Sequence, residues 1–202
     1  MHTIHDRQNA SVMRLYNRDN RRVYLNASER ERFAETAQMQ SLHIQAFCLT
    51  LLHTGCRLSE TRELAVHSLQ HSEGLISVRS LKKRDKHHVR EIPAPQKLLD
   101  TLKHLEADAS SQNNGLLWHG DGQMVDRVTA YRWVKQVMQE AGISGPQACP
   151  KGLRHGFGIQ AISSGVPLNM LQKWMGHASI KTTAIYANAV GKEEREIAKR
   201  MW

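Results

Sequence analysis

Cysteine is scarce in this 202-residue chain, and the three present, Cys48, Cys56 and Cys149, are odd in number and share no paired spacing. That excludes a disulfide framework and a zinc knuckle, and leaves them as small core or loop residues. Long apolar runs are missing too. The first twenty residues are polar and charged, and no later stretch approaches the length of a bilayer-spanning helix. The expectation is a cytoplasmic protein with no membrane partner. A P-loop, an acidic metal cluster and any internal repeat are also lacking. His67 and His71 stand four apart, but no glutamate follows His67 and no third ligand is evident, so a solvated pair is expected and neither metal nor cofactor. Acids are under-represented, with 19 Asp and Glu against 28 Lys and Arg, a formal charge of +9. The excess points to an anionic partner, nucleic acid first.

What is present suits one well-cored domain. Residues 1–22 carry Arg7, Arg14, Arg18, Arg21 and Arg22 with little hydrophobic periodicity and are expected to form a flexible basic arm or linker remnant, with the globular domain over 23–202. Ser28 and Glu31 fit an S-x-x-E capping box ahead of a first helix bearing Phe33, Ala34 and Ala37. Ile44, Phe47, Cys48, Leu51 and Leu52 follow the spacing of a buried helix face, and Gly55 supplies a left-handed stop. Over 74–93 the period changes to two, with Ile76 and Val78 on one face, a charged turn, and 89–92 returning, which predicts a β-hairpin with a basic tip. Further helices are expected over 95–107, 126–141 (Tyr131, Val134, Met138) and 152–164, and short ones over 167–175, 179–188 and 193–201. The fold class is therefore mainly α with a small antiparallel β-sheet (α+β).

Three boxes stand out: Thr54-Gly55-Cys56-Arg57-Leu58-Ser59-Glu60, then Gly152-Leu153-Arg154-His155-Gly156-Phe157, then Met175-Gly176-His177 with Tyr186 nine residues on. Cutting a phosphodiester needs a nucleophile, positive charge on the transition-state oxygens and a proton for the leaving oxygen. Arg57 and Arg154 can grip non-bridging phosphate oxygens with forked hydrogen bonds and stay charged at any working pH. Glu60 is placed to orient Arg57. Segment 79–90 holds six Lys or Arg, two His and one acid, the densest positive stretch of the chain. Lys82 shares strand parity with Ile76, Val78 and Ser80, whereas Lys83 points the other way. Tyr186 is a weak nucleophile on its own, about a thousandth ionised at neutral pH, and needs cationic company.

These boxes, in this order and with a basic hairpin between the first two, resemble those of the tyrosine recombinases, the phage integrase family, and the likeness covers 23–202. It implies a catalytic domain in which Tyr186 attacks a backbone phosphate to give a 3′-phosphotyrosyl link, assisted by Arg57, Lys82, Lys151, Arg154 and His177. A hairpin lysine, Lys82 or alternatively Lys83, would protonate the leaving 5′ oxygen, and Lys83, Arg84, Lys86 and Arg90 would contact DNA. Where the family motif has His-x-x-Arg, this chain has Lys151-x-x-Arg154. Lysine titrates near 10.4 against about 6.5 for histidine, so Lys151 serves as a phosphate clamp more readily than as a base. The resemblance further implies double-stranded DNA as partner, a homo-tetramer on it, room for an accessory DNA-bending protein, and no cofactor. The family's N-terminal core-binding domain is expected to be missing, which makes the chain similar in size to fimbrial phase-switch recombinases. Two other functions fit the same residues: relaxation of DNA by a type IB topoisomerase, and DNA binding by a regulator that has lost catalysis.

Overall fold

The structure of the chain, a computed structural model, describes residues 14–80, 88–111, 115–120, 123–188, 195, 198, 199 and 201. Among them the order is α1 (Ala27–Gln38), α2 (Leu42–Thr54), α3 (Leu58–Arg62), β1 (Leu69–Gln70), β2 (Leu75–Arg79), β3 (Val89–Pro93) and α4 (Gln96–Ser111). Then come β4 (His119–Gly120), β5 (Gln123–Met124), α5 (Arg127–Glu140), α6 (Pro150–Ser163), α7 (Leu168–Met175) and α8 (Ile180–Ala184), with a 3₁₀ turn at Ile185–Asn188. The architecture is mainly helical with two small antiparallel sheets, as the hydrophobic periods imply.

Helix α2 is buried on nearly every side from Ala46 to Leu52, and it packs against α1, α4, α5 and α6. A helix that is apolar all round has to sit at the centre of a bundle. It stops at Gly55, whose φ of +62° few side chains tolerate. The three-stranded sheet has the order β1-β2-β3, and β2 and β3 pair Ile76 with Ile92 and Val78 with Arg90. One main core joins α1, α2, α4 and α5 to the sheet. A second, smaller cluster gathers Leu15, Tyr24, Ile159, Leu171, Met175 and Tyr186.

Several local expectations are corrected. The first helix is capped by Asn26, not Ser28: the Asn26 side chain accepts from the Glu29 amide at 2.9 Å and Glu29 returns an oxygen to the Asn26 amide at 3.1 Å. Both boxes are present in the sequence, and Glu29 wins because it is also held by Arg22 and Gln147. Part of the expected arm folds onto the domain, since Leu15 is buried and Tyr16 bridges to Arg22. Tyr131 is exposed, and α5 turns Ala130, Val134, Val137 and Met138 inward instead. Segment 179–188 is a short α-helix continued by a 3₁₀ turn, not one helix. Most of the helix expected over 193–201 lies outside the described residues, as do Lys82, Lys83, Arg84 and Lys86 of the hairpin tip. Among the described residues no helix is long and apolar enough to cross a membrane.

Candidate active site

Arg57 sits at the N-cap of α3 with extended backbone, φ −73° and ψ 149°. That turn out of the α2 stop leaves its side chain a quarter exposed while Glu60, three residues on, is buried. The Arg57 amide donates to Glu60 Oε2 at 2.9 Å and its Nη1 donates to Oε1 at 2.7 Å. Glu60 thus orients Arg57. Its carboxylate also receives a second guanidinium, with Arg90 Nη2 donating to Oε2 at 2.6 Å. Burial disfavours the charged carboxylate, but the charge and hydrogen bonds of Arg90, together with the Arg57 amide and charge, outweigh it and hold Glu60 below its ordinary range.

Arg90, which the resemblance placed among the DNA contacts, faces inward in the structure. Opposite Val78 in the register, it takes the inner parity of the strand and is only 3% exposed. Its Nε donates to the Trp174 carbonyl at 2.7 Å and Nη1 to Ser80 Oγ at 3.2 Å. It clamps the hairpin to α3 and to the end of α7.

Arg154, on the second turn of α6, is 5% exposed. Its Nη1 donates to the Gly55 carbonyl at 2.5 Å and Nη2 to the Met175 carbonyl at 2.6 Å. The first and third boxes are thereby tied to one guanidinium. Burial, then the charge of Arg57, bring its pKa down to about 10, so it stays protonated at neutral pH. Lys151, one turn earlier, is exposed.

His177 follows the left-handed stop at Gly176. Its Nδ1 shares a hydrogen bond of 2.9 Å with Thr183 Oγ1 on α8, and its buried Nε2 has no partner. Burial, reinforced by Arg154, Arg57, His155 and Arg90, pushes its pKa down to about 3. The ring is therefore neutral. It lines a cleft of about 290 Å³ with His88, Arg90, Lys173 and Gly176.

Tyr186 lies on the 3₁₀ turn, fully buried. Its ring stacks on His177 at 6.4 Å between centroids and 14° between planes, and its hydroxyl meets His155 Nδ1 at 3.0 Å. Burial pushes the phenol up to about 12, against the pull of Arg154 and Arg57. Glu60 holds Arg57, Tyr186 stacks on His177, and Arg154 ties the backbone two residues before Arg57 to the backbone two residues before His177, with the phenol inside the protein. Arg90 in its clamping role, His155 and Thr183 escaped the sequence reading. His155 stands inside the quoted second box, four residues after Lys151, and that spacing was its one signal. Among the described residues no group of three or more His, Cys, Asp or Glu side chains is placed to hold a metal ion.

The chain belongs to the phage integrase family, whose model matches residues 23–193. It is 27% identical over 179 residues to tyrosine recombinase XerA of Pyrococcus furiosus, an alignment covering 87% of this chain and 60% of that protein. The crystal structure of XerA recombinase matches with a TM-score of 0.78 at 26% identity, over 89% of this chain and 65% of that one. XerH site-specific recombinase, solved bound to its difH substrate before cleavage, shares the fold with a TM-score of 0.71 at 21% identity, over 93% of this chain and 59% of that one. The chain thus spans about three-fifths of the length of these relatives.

Proposed function

We propose that this chain carries out site-specific DNA strand breakage and rejoining through a 3′-phosphotyrosyl intermediate. The observation that carries the proposal is the network in which Arg154 bonds the backbone beside both Arg57 and His177 while Tyr186 stacks on His177. Arg57, aimed by Glu60, and the remaining N–H groups of Arg154 would hold the non-bridging oxygens of the scissile phosphate. Each such donor is worth about 3 to 4 kcal/mol in the transition state. His177 Nε2 is buried without a protein partner, and a phosphate oxygen admitted to it would supply that partner and raise the pKa of its ring. The phenol of Tyr186 gives its proton to water as its oxygen attacks phosphorus, the P–O bond to the 5′ oxygen breaks, and that oxygen takes a proton from Lys82, which water then restores. Attack by a 5′ hydroxyl on the phosphotyrosine reverses the step. Phosphate bond energy is kept in the covalent link, so no nucleotide is consumed.

The XerH complex supports DNA as the substrate, and its longer chain supports the view that whole relatives bring more protein to the duplex. Strand exchange would take four protomers on two sites. A nicked duplex that loses its short 5′ fragment on cleavage tests the reading: a shifted covalent band is expected for the natural sequence and none for Tyr186→Phe. A band from the Phe variant would assign the nucleophile elsewhere. No band from either, with DNA still bound, would favour a binding protein that has lost catalysis.

A further inference from the structure

The same helix that supplies Arg154 also packs against Tyr186. The hydroxyl of Tyr186 meets His155 Nδ1 at 3.0 Å, and both side chains are completely buried. The ring fits a slot over Gly158, where a Cβ would stand 2.6 Å from Cε1 and Cζ of the tyrosine. Gly158 lies three residues after His155, so one face of α6 accommodates both the ring and the hydroxyl. As it stands the hydroxyl is enclosed by protein and taken up by His155, so a phosphate has no access to it.

We propose that His155 is a positioning residue that clasps the Tyr186 hydroxyl in a withdrawn state, and that DNA binding must break this hydrogen bond before attack. The inference rests on Tyr186 being the nucleophile. Whichever of the two groups donates, the phenol keeps its proton in this state. Burial, with Lys151 and Arg154 adding to it, brings the His155 pKa down to about 4, while the phenol is pushed up to about 12. So weak a base does not take the proton of so weak an acid, and His155 is a clasp and not a general base in the free protein. Its Nε2 is buried without a hydrogen-bond partner. A buried orphan of that kind opposes folding, and the bond to Tyr186 is the counterpart that fixes the ring where it stands.

The test uses the whole chain without DNA. Tyr186 is acetylated with N-acetylimidazole and the rate is read by mass spectrometry of its peptide, for the natural sequence, His155→Phe and His155→Asn. Phe keeps the ring volume and removes the bond, whereas Asn puts an amide atom where Nδ1 was. Phe is expected to raise the rate about fivefold, the population shift from one net hydrogen bond, and Asn to stay within about twofold of the natural rate. Equal rates for all three, or an equal rise for Asn and Phe, would overturn the clasp. Should the His155 variants fail to fold, the partner can be changed instead: Tyr186→Phe is expected to move the imidazole ¹⁵N resonance of Nδ1, and an unmoved resonance refutes the bond. On the nicked duplex His155→Phe is expected to trap DNA faster than the natural sequence. Lost trapping with DNA still bound would place His155 in the chemistry and overturn its role as a restraint. The acetylation and resonance readouts need no cleavage, so a failure of Tyr186 as nucleophile shows separately in the trapping assay.

Discussion

Glu60 holds two arginines that answer to different demands. Arg90 is buried with it, its side chain 2% exposed, whereas the side chain of Arg57 is 25% exposed and free to meet a ligand. Removing the shared negative charge leaves a buried guanidinium uncompensated, a change that typically costs about 3 to 5 kcal/mol. Glu60→Gln should therefore lower the urea midpoint sharply and weaken cleavage with it. Arg57→Ala should do the reverse. The Glu60–Arg90 pair survives, so the stability loss is expected to be about 1 kcal/mol or less, as for a part-exposed ion pair. The rate of covalent trapping should fall about a hundredfold or more. Urea unfolding and single-turnover trapping on the same two variants separate the roles, and a large stability loss in Arg57→Ala would show that both arginines belong to the scaffold.

On the scale of elements, α6 organises the site. Lys151, Arg154, His155 and Gly158 fall at i, i+3, i+4 and i+7, so one face of the helix carries the cations, the clasp and the ring slot. Gly158→Ala tests how tightly that slot fits. Alanine is the better helix former by about 1 kcal/mol, but its methyl would meet the tyrosine ring at 2.6 Å. Overpacking of that degree typically costs about 1 to 3 kcal/mol. We expect a lower urea midpoint together with faster acetylation of Tyr186, and a stabilised protein with an unchanged rate would mean that the slot is loose. Of this helix the sequence disclosed the approximate extent and Arg154. It hid the roles of His155 and Gly158, which acquire meaning only from a tyrosine that the chain returns about thirty residues later. The clamping role of Arg90 was hidden for a related reason, because it depends on strand parity and on the distant Glu60. The α2 helix and its Gly55 stop, by contrast, depend on local spacing alone and were legible. So was the hairpin, whose period of two needs no partner to be read.

Across the whole molecule, burial keeps His53, His155 and His177 neutral, and the positive charge near each works in the same direction. Burial first, then nearby cations, brings them down to about 4, 4 and 3. In the unfolded chain all three return to about 6.5. Since the folded values are the lower ones, the unfolded chain binds protons first as pH falls. The stabilisation is complete above about 6.5 and declines below it, and for each group the loss stops only when pH passes its folded value. Three groups acting together give a slope on the order of a few kcal/mol per pH unit at its steepest, and less where water screens a ring. Glu60, held below its ordinary value, loses its own contribution at still lower pH, as acid protonates it between its two arginines. Urea midpoints measured from pH 7.5 down to about 4.5 should be level at first and then fall with increasing steepness below about 6.5. His177→Asn removes one titrating group and should flatten the descent without moving its onset. A midpoint that stays level down to pH 5 would mean that the three rings are hydrated and chargeable in the folded protein. His177 would then meet a phosphate already protonated, as a charged donor instead of the neutral one argued above.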